Sequence, residues 1–209
     1  MEFYKENRFK KTEIGEIPEE WEVVRLGEER FAKIIMGQSP PSSAYNEKGI
    51  GLPFLQGKMD FGDLHPNPRI YCSKPIKIAK KNDILLSVRA PVGEVNIPIS
   101  ECCIGRGLSA LRPNPIKVDF RFIFYYLKQA AYKWLAIGSG STFKAIRKKD
   151  LETFLLPLPE ILEQQKIASM LSCVDEEIEN EKQTKDYLEK AKKWFMDNLL
   201  TGRVRVRMN

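Results

Sequence analysis

Ten positions between residues 167 and 199 recur in alternating steps of four and three, and no other feature of this 209-residue chain restricts its fold so sharply. They are Ile167, Leu171, Val174, Ile178, Glu181, Lys185, Leu188, Lys192, Phe195 and Leu199. A period of 3.5 residues is that of a helix supercoiled with another helix. The segment reads as one helix from about Glu160 to Thr201, stopped by Gly202 as a C-cap glycine. At 1.5 Å per residue such a helix is about 60 Å long, too long for one small domain to cover. The apolar knobs Ile167, Leu171, Val174, Ile178, Leu188, Phe195 and Leu199 need burial, and the chain supplies no second long helix. Another copy or another subunit is therefore the expected partner. A charged residue is expensive to bury singly. Glu181 and Lys185 would approach each other in an antiparallel pair, so that orientation is expected. A helix folded back on its own domain is the alternative.

Charge is distributed unevenly. The net charge is +6, but residues 1–29 hold five basic and nine acidic side chains, and residues 160–209 hold nine and ten. Residues 30–159 carry 20 basic against nine acidic, a balance of +11. Such a segment suits a polyanion, although charge alone equally describes a solvated basic surface. The longest apolar stretch, Phe122 to Leu127, is far below the ~18 residues of a membrane span. The N-terminus, Met1 to Glu6, has no apolar signal core. The expected location is the cytoplasm, with no membrane contact.

Two domains are expected, residues 1–159 and 160–209. In the first, Val23-Val24-Arg25-Leu26 and Ile84-Leu85-Leu86-Ser87-Val88 read as strands. Val95-Asn96-Ile97-Pro98-Ile99 reads as a third, at an edge because of Pro98. Frequent turn signals, among them Gly37-Gln38-Ser39-Pro40-Pro41 and Asp60-Phe61-Gly62-Asp63, suggest an irregular twisted sheet with long connections. One helix is expected from Asp119, its N-cap, to about Ile137, with Phe122, Tyr126, Ala130, Tyr132 or Lys133, and Ile137 near one face as core packing. Leu155-Leu156-Pro157-Leu158-Pro159 reads as an extended hinge into the long helix. The fold class is α+β.

Catalytic signatures are missing. Gly51 to Lys58 superficially suggests a phosphate-binding loop, but five residues separate its glycines and Met59 stands where Ser or Thr would hold magnesium. Gly138-Ser139-Gly140 and Gly105-Arg106-Gly107 lack the third glycine of a dinucleotide fingerprint. No Asn/Asp-Pro-Pro-aromatic segment of an amino-methyltransferase is present. With His65 the single histidine and Cys72, Cys102, Cys103 and Cys173 forming no C-x-x-C pair, neither a hydrolytic triad nor a zinc site is expected. The chain reads as a binder with no catalytic residue, metal or cofactor of its own. Its best ligand-facing segment is Gly138 to Asp150. There glycine and hydroxyl residues (Ser139, Ser141, Thr142) coincide with the cations Lys144, Arg147, Lys148 and Lys149, a mixture able to hold phosphate oxygens. A loop that merely caps the preceding helix is the alternative.

The order of motifs resembles the target-recognition domain of type I restriction-modification specificity subunits. Ile14-Gly15-Glu16-Ile17-Pro18-Glu19-Glu20-Trp21 and Val24-Arg25-Leu26-Gly27 resemble its opening. Pro53-Phe54-Leu55-Gln56-Gly57 is similar to an early strand. Asn82 to Arg89 with Val92-Gly93 resembles a mid-domain pattern, with Ala90-Pro91 replacing the usual glycine step. Gly138 to Thr142, then Leu156-Pro157-Leu158-Pro159 through Glu163-Gln164-Gln165-Lys166-Ile167-Ala168, look like the junction into the long helix. Leu199-Leu200-Thr201-Gly202-Arg203-Val204-Arg205-Val206 looks like its ending.

A complete family member carries two such repeats and this chain one. The resemblance therefore implies a half-length form that pairs through its helix as a homodimer and reads a bipartite double-stranded DNA target. It implies methyltransferase subunits docked on the helices, with S-adenosylmethionine for adenine N6 methylation. It also implies restriction/translocase subunits using ATP and Mg. Candidate DNA contacts are Gln56, Lys58, Arg69, Arg89, Arg106, Ser139, Ser141, Thr142, Lys144, Arg147 and Lys148. Arg suits guanine and Gln adenine in the major groove. Lys74, Lys77, Lys80 and Lys81 suit phosphate contact or plain solvation. The competing reading is a coiled-coil scaffold whose basic domain binds RNA or a protein, and a third is a stand-alone nuclease.

Overall fold

The computed structural model describes residues 5–138 and 145–207. It has two compact units, Met1–Ala168 and Ser169–Asn209. In chain order the strands are β1 (Phe9–Thr12), β2 (Gly15–Pro18), β3 (Glu22–Arg25), β4 (Ala32–Met36), β5 (Tyr45–Asn46), β6 (Leu52–Leu55), β7 (Ile70–Cys72), β8 (Ile78–Ala79), β9 (Ile84–Ser87), β10 (Val95–Asn96), β11 (Cys102–Ile104) and β12 (Leu108–Pro113). There follow α1 (Phe120–Gln129), α2 (Ala131–Gly138), α3 (Lys148–Glu152), β13 (Leu155–Leu158) and α4 (Ile161–Leu199). The class is α+β, as the sequence indicates.

Two sheets carry the first unit. One is antiparallel, in the order β10-β9-β12-β4, and the other is mixed, in the order β5-β7-β6-β11-β8, with β6 and β11 parallel. Period-two alternation explains how they share a core. On β9, Ile84 and Leu86 join a cluster with Leu111, Ile123, Phe124 and Trp134. Leu85 turns the other way, to Leu55, Ala79, Cys102, Ile104, Leu108 and Ala110. β4 alternates likewise, Ile34 and Met36 packing on the first cluster and Ile35 on the second. The antiparallel sheet is thus covered on both faces, which is why all four residues of β9 are buried. Each buried Leu or Ile contributes roughly 1.5–3 kcal/mol. β10 lies at the sheet edge, as Pro98 indicates.

The helix expected from Asp119 starts there. The Asp119 carboxylate accepts from the Arg121 and Phe122 amides at 2.9 and 3.3 Å, an N-cap worth about 1 kcal/mol. It does not run unbroken. α1 ends at Gln129, and Ala130 leaves helical geometry at φ −81, ψ 9. No Gly or Pro marks the break. The buried set is also broader than the expected face. It consists of Ile123, Phe124, Leu127 and Trp134, with Phe122 and Ala130 also buried, while Tyr132 is exposed. Trp134 stacks on Phe154 with ring centroids 4.0 Å apart.

The segment read as a hinge is extended, but it is a strand. β13 pairs antiparallel with β3, Pro157 opposite Val23, and Leu156 and Leu158 enter the core. Just beyond it, Gln164 is fully buried. Its Oε1 accepts from the Asp119 amide at 3.0 Å, and its Nε2 donates to the Lys117 and Pro159 carbonyls at 3.2 and 2.8 Å. This one side chain fastens the first turns of α4 to the start of α1. Asp83, in the motif before β9, is likewise structural. Arg112 donates to both its oxygens at 2.9 and 2.8 Å, and the Lys80 amide at 2.7 Å. The buried carboxylate raises the pKa of the Arg112 guanidinium.

In the second unit α4 continues to Leu199. Gly202 closes it at φ +72, its amide donating to the Leu199 carbonyl and that of Val204 to the Asn198 carbonyl, a glycine-dependent stop. Ile167, in the first unit, packs partly on the core. Leu171, Val174, Ile178, Leu188, Phe195 and Leu199 are 36–60 % exposed.

Candidate nucleic-acid interface

Strand polarity gathers the interface. β4 and β9 both run antiparallel to β12, so their C-terminal ends and the start of β12 share one end of that sheet. β6 and β11 are parallel and finish side by side. Main-chain hydrogen bonds join the segments leaving these strands. The Gly105 amide donates to the Leu55 carbonyl at 2.8 Å, Gln38 to Ile104 at 3.0 Å, Gly37 to Leu108 at 2.9 Å, Val88 to Gly107 at 2.9 Å and Ile146 to Val88 at 2.8 Å. Arg89 pairs with Ala145 as an isolated bridge. Residues 37–39, 55–58, 88–89, 105–107 and 145–146 therefore form one continuous backbone platform.

Two glycines make the close approach possible. A Cβ on Gly107 would stand 2.1 Å from the Gln56 carbonyl oxygen, and one on Gly105 would stand 3.1 Å from Ser39 Oγ. Ser39 Oγ accepts from the Arg106 amide at 3.1 Å. The buried Asp60 carboxylate turns the chain after β6, accepting from the Gln56 amide at 2.7 Å and the Gly57 amide at 3.4 Å. The sequence contains both devices, the Gly-Arg-Gly step and the Ser39 and Asp60 turn residues. They read there only as turn signals and a failed dinucleotide fingerprint.

Gln56, Lys58, Arg89 and Arg106 leave this platform exposed. The guanidinium groups of Arg89 and Arg106 have no ion pair among the described residues. Each therefore offers a complete donor fork to an acceptor pair. Lys58 Nζ sits 2.7 Å from Glu94 Oε1, both side chains nearly half exposed, a contact worth little that phosphate can displace. Arg69 joins the platform through Asp60, Nη2 to Oδ1 at 3.6 Å. Arg147 and Lys148 follow Ala145 onto α3 and are partly neutralised, Arg147 by Asp150 at 3.5 Å and Lys148 by Glu152 at 3.1 Å. Lys80 and Lys81 precede β9 and so stand at the opposite end of its sheet. Ser139, Ser141, Thr142 and Lys144 lie outside the described residues. Gln38 and Ser39 are additions that sequence reasoning missed. Both belong to a turn whose partner, the 104–106 segment, is 66 residues or more away in the chain.

Among the described residues no group of three His, Cys, Asp or Glu could hold a metal ion. The buried Cys102 thiol is pushed up to about 12 by burial first and by the Asp83 charge second, which makes it inert as a nucleophile. No helix among the described residues is long and apolar enough to cross a membrane. His65 is engaged with the Ile97 carbonyl at 2.8 Å.

Residues 18–190 match the type I restriction modification DNA specificity domain. The chain is 54% identical over 204 residues to the type I restriction enzyme MjaX specificity subunit of Methanocaldococcus jannaschii, covering 98% of this chain and 48% of the relative. It is 33% identical over 220 residues to the MjaVIII specificity subunit of the same organism, covering 98% and 51%. The HsdS subunit from Thermoanaerobacter tengcongensis superposes with a TM-score of 0.69 at 44% identity, over 91% of this chain and 47% of that one. A chain from a structure addressing complex assembly and conformational transition of the type I R-M system gives a TM-score of 0.71 at 46% identity, over 87% and 46%. The chain thus spans about half the length of the curated relatives it matches.

Proposed function

The chain belongs to the type I restriction-modification DNA specificity family, and from that membership we propose that it reads double-stranded DNA with the platform at the common end of its two sheets, performing no bond-breaking chemistry itself. The observation that carries the proposal is the gathering of Gln56, Lys58, Arg89 and Arg106 on one backbone platform from three separate segments. Exposed side chains on rigid main chain are what base readout needs. Arg89 and Arg106 suit the paired acceptors of guanine, and Gln56 and Gln38 the donor and acceptor of adenine. Lys58, Arg69, Arg147 and Lys148 suit phosphate, which positions a protein without reading sequence. Ser139, Ser141, Thr142 and Lys144 belong to the same contact set on the strength of their composition.

In this reading α4 joins the recognition unit to a second one and offers a surface to methyltransferase subunits. Those subunits supply S-adenosylmethionine and methylate adenine at N6, and restriction subunits supply the ATP- and Mg-dependent steps. The site read by two such units is bipartite, and the working compartment is the cytoplasm.

The test is fluorescence anisotropy with a labelled random-sequence duplex, followed by a duplex bearing the split adenine-methylated motif found by mapping methylation in the host genome. Arg89→Ala and Arg106→Ala should each weaken binding to the motif about 5- to 150-fold, the equivalent of roughly 1–3 kcal/mol. Binding to the random duplex should fall less. A protein that ignores duplex DNA yet binds single-stranded RNA would replace this reading with the scaffold alternative.

A further inference from the structure

One exposed carboxylate, that of Glu94, borders the platform. No residue of the platform segments, 37–39, 55–58, 88–89, 105–107 and 145–146, is acidic. Asp60 is buried beneath them and holds the Gln56 and Gly57 amides. Asp150 and Glu152 pair with Arg147 and Lys148 beside them. Glu94 stands at the end of the connection between β9 and β10, five residues after Arg89, and its Oε1 meets Nζ of Lys58 at 2.7 Å. It therefore lies between two segments that carry candidate base contacts.

Its main chain is fixed from below. The Glu94 amide donates to Ser87 Oγ at 3.0 Å, and the Glu94 carbonyl accepts from the Ser87 amide at 2.8 Å. Ser87 is fully buried. Its hydroxyl also donates to the Pro91 carbonyl at 2.8 Å, and its carbonyl accepts from the Gly93 amide at 2.9 Å. Among residues 92–98 Glu94 alone is exposed, and the others are buried. One side chain thus leaves an otherwise buried ribbon, at the end of β9 from which Arg89 departs.

A carboxylate in this place opposes the binding of a polyanion. It repels the phosphates that Lys58 attracts, and the ion pair gives little in return because both side chains are nearly half exposed. Once a phosphate recruits Lys58, Glu94 is left facing the groove as a group that only accepts hydrogen bonds. The base edges differ in what they offer such a group. In the major groove guanine shows two acceptors and thymine one, and these repel it. Adenine shows an amino donor with the N7 acceptor beside it, whereas cytosine shows the N4 amino donor alone. Cytosine is the base that fits, and its guanine partner suits an arginine fork such as that of Arg89.

We propose that Glu94 is a specificity-determining residue: released from Lys58 by phosphate, its carboxylate accepts a hydrogen bond from the N4 amino group of a cytosine in the major groove. This rests on the platform's reading of duplex DNA and adds an acidic reader to it. The test is anisotropy with the duplex bearing the methylation-mapped motif and a panel in which each base pair of one half-site is replaced singly. For the parent protein, replacing one C·G pair by T·A should weaken binding about 5- to 150-fold. In Glu94→Ala that one penalty should vanish and the penalties at the other positions persist, while binding to a random duplex stays equal or tightens as a negative charge is lost. Glu94→Gln keeps the size of the side chain and guards against a loss of folding in the alanine variant. It should prefer adenine at the same position, because an amide matches adenine's donor and acceptor. A half-site without a C·G pair would overturn the proposal. So would variants whose penalties equal the parent's at every position while their affinity for all duplexes rises together, the mark of a charge that only repels phosphate. A parent protein that ignored duplex DNA altogether would overturn the assignment of the platform itself.

Discussion

Replacing Gln164 by Ala removes three hydrogen bonds made by a fully buried side chain. Three main-chain groups lose their partner: the Asp119 amide and the carbonyls of Lys117 and Pro159. An orphaned buried group costs about 1–3 kcal/mol, and the truncation leaves a small cavity besides. Carbonyls retain a second lone pair and helix ends can shift, so the lower part of that range is appropriate, and the total is about 3–5 kcal/mol. For a chain of this size that is a fall in Tm of roughly 6–20 °C. Urea denaturation followed by tryptophan fluorescence measures it directly, since Trp134 is buried in the adjoining core. Gln164→Glu is the informative companion. It keeps an acceptor for the Asp119 amide but turns a carboxylate toward two carbonyl oxygens, so it should be at least as unstable. If Gln164→Ala lay within 1 kcal/mol of the parent, or if Gln164→Glu were as stable as the parent, the fastening role of this side chain would be refuted.

Gly107→Ala pushes a Cβ to 2.1 Å from the Gln56 carbonyl oxygen, whereas Gly57→Ala meets nothing within 4 Å. The first should lose about 1–3 kcal/mol of stability and bind duplex more weakly, and the second should do neither. Equal behaviour in parallel unfolding and anisotropy experiments would show that the platform is not built by close approach. Lys144→Ala should reduce the slope of log K against log salt by about 0.9 if this residue neutralises one phosphate; an unchanged slope removes it from the contacts. Stability should also fall in alkali. The Cys102 thiol is raised to about 12 in the fold, from 9.0 otherwise, so above pH ~9 only the unfolded chain gives up this proton. The contribution is absent at neutral pH and grows toward pH 12, at up to about 1.4 kcal/mol per unit. Urea midpoints between pH 8 and 11 should fall less steeply for Cys102→Val than for the parent.

The features legible in the sequence are those encoded by neighbours along the chain. The four-three spacing of Ile167 to Leu199, the Asp119 cap, the apolar run of β9 and the edge position signalled by Pro98 all depend on residues a few places apart, and all are found. Misread features depend on distant partners. Leu155 to Leu158 looks like a hinge until Val23 and Val24 are seen beside it, more than 130 residues earlier. The burial of Trp134 is missed because its stacking partner Phe154 lies outside the helix, 20 residues on. The candidate DNA contacts show both effects. Residue type alone picks out Arg89 and Arg106, and both are exposed. That they share a platform with Gln56 and Gln38 follows from the parallel β6–β11 pair, which no local pattern announces.

The platform is shaped by carbonyls, amides, two glycines and a buried carboxylate, and almost not at all by the side chains that leave it. Point changes at 38, 56, 89 or 106 therefore leave the architecture standing. If the platform reads DNA as proposed, a framework of this kind lets the reading side chains be exchanged one substitution at a time without passing through misfolded intermediates.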